Sequence, residues 1–135
     1  MSQPKVATEV AVAEFERFAE SMDLDIAPKG MDAEDQKALD DLKRKIVGAI
    51  ERGSLVVDDK GQPVFTPQVG DREPITFYEP VGSTLTSMDQ RKKGQDIAKM
   101  FVTLAAQTKQ PVKRFADMAG RDIKVCQALI TLFLA

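Results

Sequence analysis

Few residues in this chain are equipped for covalent chemistry. Its 135 residues include no histidine and one cysteine, Cys126. The commonest general base is therefore missing, and a Ser or Cys nucleophile would need a lysine or a carboxylate to activate it. Cys126 falls inside an apolar helical stripe, with Lys124 directed elsewhere, and reads as an inert core thiol. One cysteine and no histidine give neither a disulfide framework nor a zinc site within one chain. Asp23 and Asp25 resemble part of a calcium loop, but no glutamate stands where a bidentate EF-hand ligand must, and the interval to Gly30 is irregular. The glycines are scattered singly and form neither a Walker pattern nor a dinucleotide fingerprint. The expectation is a protein that is not an enzyme, with no catalytic residue, no cofactor and no metal.

Two basic runs could attract phosphate. Lys43-Arg44-Lys45 is preceded by Asp40 and Asp41 and followed by Glu51, which reads as a solvated face of mixed charge. Arg91-Lys92-Lys93-Gly94 reads as a solvated linker before an amphipathic helix, with an acidic partner as the alternative. The whole chain carries a net charge of −2 with 30% charged residues, so no global positive excess exists to neutralise a nucleic-acid backbone. The N-terminus lacks a basic start followed by a continuous apolar segment. No apolar run approaches the roughly 18 residues of a membrane helix. These features lead us to expect a cytoplasmic protein that binds neither nucleic acid nor membrane.

The elements follow from periodicity and punctuation. Residues 1–7 read as a frayed start. Thr8 is placed to cap a helix running to Ser21, with Val10, Ala11, Phe15, Phe18 and Ala19 at helical spacing. That helix is a core element or an arm docking on a neighbouring subunit. Asp32 and Asp35 begin a second helix, carried by Ala38, Leu42, Ile46, Ala49 and Ile50 and stopped at Gly53. Leu55-Val56-Val57 and Val64-Phe65 flank Asp58-Asp59-Lys60-Gly61, a hairpin signal in which Gly61 supplies positive φ. Pro63 and Pro67 suit the second strand to an edge, and residues 75–78 supply a third. Residues 68–74 form a polar loop. The expected fold is α+β, mainly α-helical, with a small antiparallel three-stranded β-sheet between N-terminal and C-terminal helices. One domain covers 1–135, in three parts at 1–53, 54–80 and 81–135.

The C-terminal third holds the most information. Residues 95–108 form an amphipathic helix with Ile97, Met100, Phe101, Leu104 and Ala105 on its apolar stripe and Lys99, Thr103 and Gln107 on its wet side. Lys109-Gln110-Pro111 breaks it, and Phe115, Met118 and Ala119 suggest one more short turn, stopped by Gly120. Asp122 is placed to cap a last helix that is apolar around most of its circumference, with only Lys124, Gln127 and Thr131 polar. Three such large apolar side chains left in water would forgo about 5 to 9 kcal/mol. Either a partner covers the second apolar side, or the helix is central to its own core.

The order of these parts resembles the tail assembly chaperones of long-tailed bacteriophages. The resemblance covers residues 74–135: a strand ending in Tyr78-Glu79-Pro80, then Val81-Gly82-Ser83-Thr84-Leu85, the linker Asp89-Gln90-Arg91-Lys92-Lys93-Gly94, an amphipathic helix, a Pro-containing break, and Arg121-Asp122 opening the final helix. Phe77, Tyr78 and Thr84 depart from that family's usual strand-end pattern, in which Leu-Arg precedes Glu-Pro and an Asp follows. The resemblance implies a non-catalytic role in the bacterial host cytoplasm, coating the tape measure protein and helping to recruit tail tube subunits. On that reading Phe101, Leu129, Leu132 and Phe133 are the expected partner contacts, either holding a helical segment in a groove or closing a homo-oligomer. The alternative is a small DNA-binding regulator with a helix-turn-helix over residues 112–134, whose second helix offers few groups for base readout.

Overall fold

The computed structural model describes residues 6–24, 26, 30–81 and 96–134. The Arg91-Lys92-Lys93 linker, residues 82–85 and Asp25 lie outside them. Helix α1 (Thr8–Ser21) starts from Ala7, with no side-chain cap. Thr8 donates instead to Glu51 Oε2 at 2.8 Å, and the Val6 N–H donates to the Glu51 carbonyl at 3.1 Å, so residues 6–8 are tied to the end of the second helix. Ala11, Phe15, Phe18 and Ala19 are buried, while Val10 is on the exposed side.

Helix α2 (Ala33–Glu51) is capped as its sequence predicts: the Asp32 carboxylate accepts from the Asp35 N–H at 2.8 Å. Leu39, rather than Ala38, joins Ile46, Ala49 and Ile50 on the buried side. Gly53, at φ 81°, ends the helix; its N–H reaches the Ile50 carbonyl and that of Ser54 the Ala49 carbonyl.

Strands β1 (Leu55–Val57), β2 (Pro63–Phe65) and β3 (Ile75–Thr76) form an antiparallel sheet in that order, with Leu55 opposite Phe65 and Val64 opposite Thr76. The edge expectation for β2 is corrected, because β2 is central. Pro63 is tolerated there as the strand's first residue, where it needs to offer only its carbonyl, and that carbonyl accepts from the Phe77 N–H at 2.8 Å. Leu55, Val57, Phe65, Ile75 and Phe77 point into the core. Gly61 (φ 77°) donates to the Asp58 carbonyl at 3.0 Å and closes the hairpin. Ser21 at the end of α1 donates to the Gly61 carbonyl at 2.8 Å.

Three helices follow: α3 (Asp96–Thr108), α4 (Val112–Ala116) and α5 (Gly120–Leu134). The orientation of α3 departs from expectation, with Thr103 and Gln107 buried and Phe101 and Ala105 half-buried. Gln107 is drawn inward because its carbonyl accepts from the Tyr78 N–H (3.3 Å) and its side-chain amide donates to the Tyr78 carbonyl (3.0 Å). This pair clamps the end of the sheet to α3. Pro111 opens α4 and Gly120 opens α5, whereas the sequence predicted a glycine stop. Every element contributes to a single apolar cluster containing Phe18, Ile46, Phe65, Phe77, Leu104, Phe115 and Leu129. The fold is α+β and mainly helical, with a small three-stranded antiparallel sheet.

Candidate functional site

The four side chains expected to meet a partner divide unequally. Leu129 is 0% exposed, Leu132 1% and Phe133 8%. Phe101 is half-buried and packs on the same core. The surface assigned to Leu129, Leu132 and Phe133 is therefore corrected: they are interior. Helix α5 is enclosed by its own chain. Its most extensive neighbour is α2, α3 also packs on it, and α1 supplies Phe18, whose ring meets Phe133 edge-on at 5.5 Å between centroids. Of the two expectations for its second apolar side, the structure meets the second: the helix is central to its own core, covered by α2, α3 and Phe18 of α1. A stripe of Arg121, Lys124, Gln127 and Thr131 is all that α5 exposes beyond its first residue, among the described side chains.

Cys126 is fully buried with its sulfur 3.9 Å from that of Met118. Burial above all, and then the negative charge of Asp122, push its thiol far above the ordinary range, so it is held protonated and unreactive. Asp122 does not cap its own helix. Its carboxylate, in a residue 1% exposed, accepts from the backbone N–H groups of Gln68 (2.9 Å) and Val69 (3.1 Å), fastening the loop after β2 to the first turn of α5.

That fastening shapes an open cleft of about 600 Å³ between the loop and α4, with Pro67, Val69, Pro74, Pro111 and Met118 among its walls. Arg114 crosses it. One terminal nitrogen donates to Gln110 Oε1 at 3.0 Å, the other donates to the Glu73 carbonyl, and Nε lies 3.6 Å from an Asp71 carboxylate oxygen. Three prolines and a pinned guanidinium make this a preformed concavity with mixed apolar and charged walls, suited to binding a side chain or peptide segment.

A second concavity, about 370 Å³, lies where the last turns of α2 meet the first turns of α5 and is lined by Arg44, Lys45, Arg52, Arg121, Lys124 and Val125. Arg44 is paired with Asp41 at 2.6 Å; among the described residues the other four cations make no ion pair. The sequence marked Lys43-Arg44-Lys45 as basic. The convergence of Arg44 and Lys45 with Arg121 and Lys124, nearly eighty residues away, is tertiary and had no linear signal. Among the described residues no group of three or more His, Cys, Asp or Glu side chains is placed to hold a metal ion. No described helix is long and apolar enough to cross a membrane. Comparison with family models, curated proteins and solved structures finds no match to this chain.

Proposed function

We propose that this protein is a non-catalytic tail assembly chaperone of a long-tailed phage or prophage, acting in the bacterial host cytoplasm. It binds the tape measure protein and helps recruit tail tube subunits. The observation that carries this reading is the order of parts over residues 74–135: a strand ending in Tyr78-Glu79-Pro80, an amphipathic helix, a proline break and Arg121-Asp122 opening an apolar helix. Two features of the fold support it. The strand end and α3 are joined through Tyr78 and Gln107, so these parts act as one unit. Beside the proline break, the cleft walled by Val69, Pro74, Pro111 and Met118 is a preformed recess, and Val102 and Val112 are exposed on α3 and α4.

In this reading the partner's apolar side chains seat in the cleft, and the interior residues of α5 serve only to hold its walls. The helix-turn-helix alternative draws less support, since α4 has five residues and α5 spends most of its circumference on the core.

Co-expression with the tape measure protein encoded alongside it tests the proposal. The tape measure protein is expected to stay in solution and to copurify at high salt, and Val69→Asp with Val112→Asp, both at exposed positions, is expected to abolish copurification while leaving the circular dichroism unchanged. A tape measure protein that precipitates equally with and without this chain would refute the assignment.

A further inference from the structure

The concavity between α2 and α5 is lined by five cations and no carboxylate: Arg44, Lys45, Arg52, Arg121 and Lys124 stand around Val125. In a chain of net charge −2 this is a local reversal of sign. Two of the charges also sit against helix preference. Arg121 lies in the first turn of α5 and Lys124 just after it, near the positive end of the helix dipole, which disfavours cations. The carboxylate that could offset them, Asp122, is committed to the amides of Gln68 and Val69. Arg52 follows the last residue of α2, and its Nη1 would lie 3.2 Å from a Cβ on Gly48, so that guanidinium lies close over the glycine. Of the five, only Arg44 has an ion pair among the described residues. Four cations thus face one recess with their mutual repulsion uncompensated by those residues.

The arrangement fits an oxyanion with more than one charge. Arg52 and Arg121 also line an adjoining recess of about 260 Å³, with Ser54 and Gln68 among its walls, so both guanidinium groups stand where the two recesses meet. A guanidinium is a planar fork of donors that matches a phosphate bidentately. At a helical rise of about 1.5 Å per residue, Lys45 stands roughly 10 Å from Arg52 along α2, and Lys124 roughly 5 Å from Arg121 along α5. A second phosphate linked to the first is within their reach. An acidic helix fits less well, because at about 10–12 Å across it is too wide to seat in a recess of about 370 Å³. The larger recess has no aromatic side chain or amide in its lining, so it offers nothing that reads or stacks on a base.

We propose that the α2–α5 groove is a binding site for linked phosphate groups, recognised through charge and guanidinium geometry and without reading a base. The backbone of a single-stranded nucleic acid and a free polyphosphate present this same chemistry. The net charge of the whole chain gave no reason to expect such a ligand, but the local field at the groove is a separate quantity. Binding neutralises the unpaired cations, so salt weakens it and the bound ligand stabilises the folded chain. This inference goes beyond the chaperone reading and does not depend on it.

Calorimetric titration of the full chain with tripolyphosphate and with a short single-stranded DNA, at about 50 mM and about 200 mM salt, tests the proposal. At least one of the two should bind at low salt, and affinity for the DNA should fall with a log–log slope of roughly −0.7 for each phosphate neutralised. Arg121→Gln with Lys124→Gln should weaken that binding by roughly tenfold or more. The same variant should melt at the wild-type temperature or above it, because it removes cations from the wrong end of a helix; the lost binding is then not lost fold. Tighter binding of the DNA assigns the groove to a nucleic-acid backbone, and equal or tighter binding of tripolyphosphate assigns it to a free polyphosphate. No saturable binding of either ligand at low salt overturns the proposal, as does binding that the double variant retains. A variant that melts lower overturns it too, by making the cations structural. So does a polyglutamate peptide that binds the groove more tightly than either phosphate ligand, which would make the groove a docking surface for an acidic protein.

Discussion

Asp122 carries a carboxylate into a nearly water-free position, and its two backbone donors explain why that is tolerated. Replacing it with alanine strands the amides of Gln68 and Val69. We expect Asp122→Ala to cost about 1–3 kcal/mol in urea denaturation and to speed hydrogen exchange at Val69 before exchange elsewhere. Cys126 gives a second expectation. An ordinary thiol ionises near pH 9.0, but burial holds this one protonated in the folded state. Its folded pKa therefore exceeds its unfolded one, so its contribution to stability is fully present below pH 9.0 and is lost as pH rises above it, where only the unfolded chain ionises. Cys126→Ala should flatten that part of the stability profile, and a thiol reagent should label native Cys126 only at the rate of unfolding.

At the scale of elements, the turn of the β1–β2 hairpin is joined to the end of α1. Gly61 has φ 77°, and a Cβ there would lie 2.2 Å from Ser21 Oγ. Gly70 has φ 78° with nothing within 4 Å of its would-be Cβ. Gly61→Ala therefore suffers both backbone strain and a collision, whereas Gly70→Ala suffers the strain alone. Thermal melts should give Gly61→Ala a loss of about 1–3 kcal/mol beyond that of Gly70→Ala. Equal losses would mean that α1 yields at Ser21 and that the junction is soft. Arg17 strengthens the same junction from α1 by donating to the carbonyls of Val57 and Asp58 at 2.7 and 2.8 Å.

At the scale of the whole molecule, α2 is the hub, packing on α1, β1 and α5, and α1 reaches α5 through Phe18. Phe18 covers Phe133, so one of the first helix's residues shields one of the last helix's. Changing Leu132 and Phe133 together to Ser removes two interior anchors, at about 2–5 kcal/mol each. A domain stable by about 5–15 kcal/mol is then largely unfolded, and far-UV circular dichroism at 25 °C should show it. A folded double variant that failed only in partner binding would instead restore those residues to a surface role.

Local signals determined much of this architecture. Asp32 three residues before Asp35 marked the start of α2, Gly53 its end, and Gly61 the hairpin, because caps and turns are satisfied within a few residues of chain. Alternation likewise placed Ile75 and Phe77 together in the core. What periodicity could not decide was which apolar or polar surface each helix turns to which neighbour. The apolar excess of α5 is compatible with a partner or with a place in the chain's own core, and only the packing of α2, α3 and Phe18 of α1 against it chooses between them. Gln107 was read as wet, yet it is buried because Tyr78, distant in sequence, meets both its backbone and its side chain. Asp122 was read as a local cap, yet its partners are Gln68 and Val69. The basic groove follows the same rule. Lys45 and Arg52 are sequence neighbours on α2, but Arg121 and Lys124 join them only when α5 packs on α2, since charge convergence across a helix pair depends on tertiary packing and leaves no trace in linear spacing.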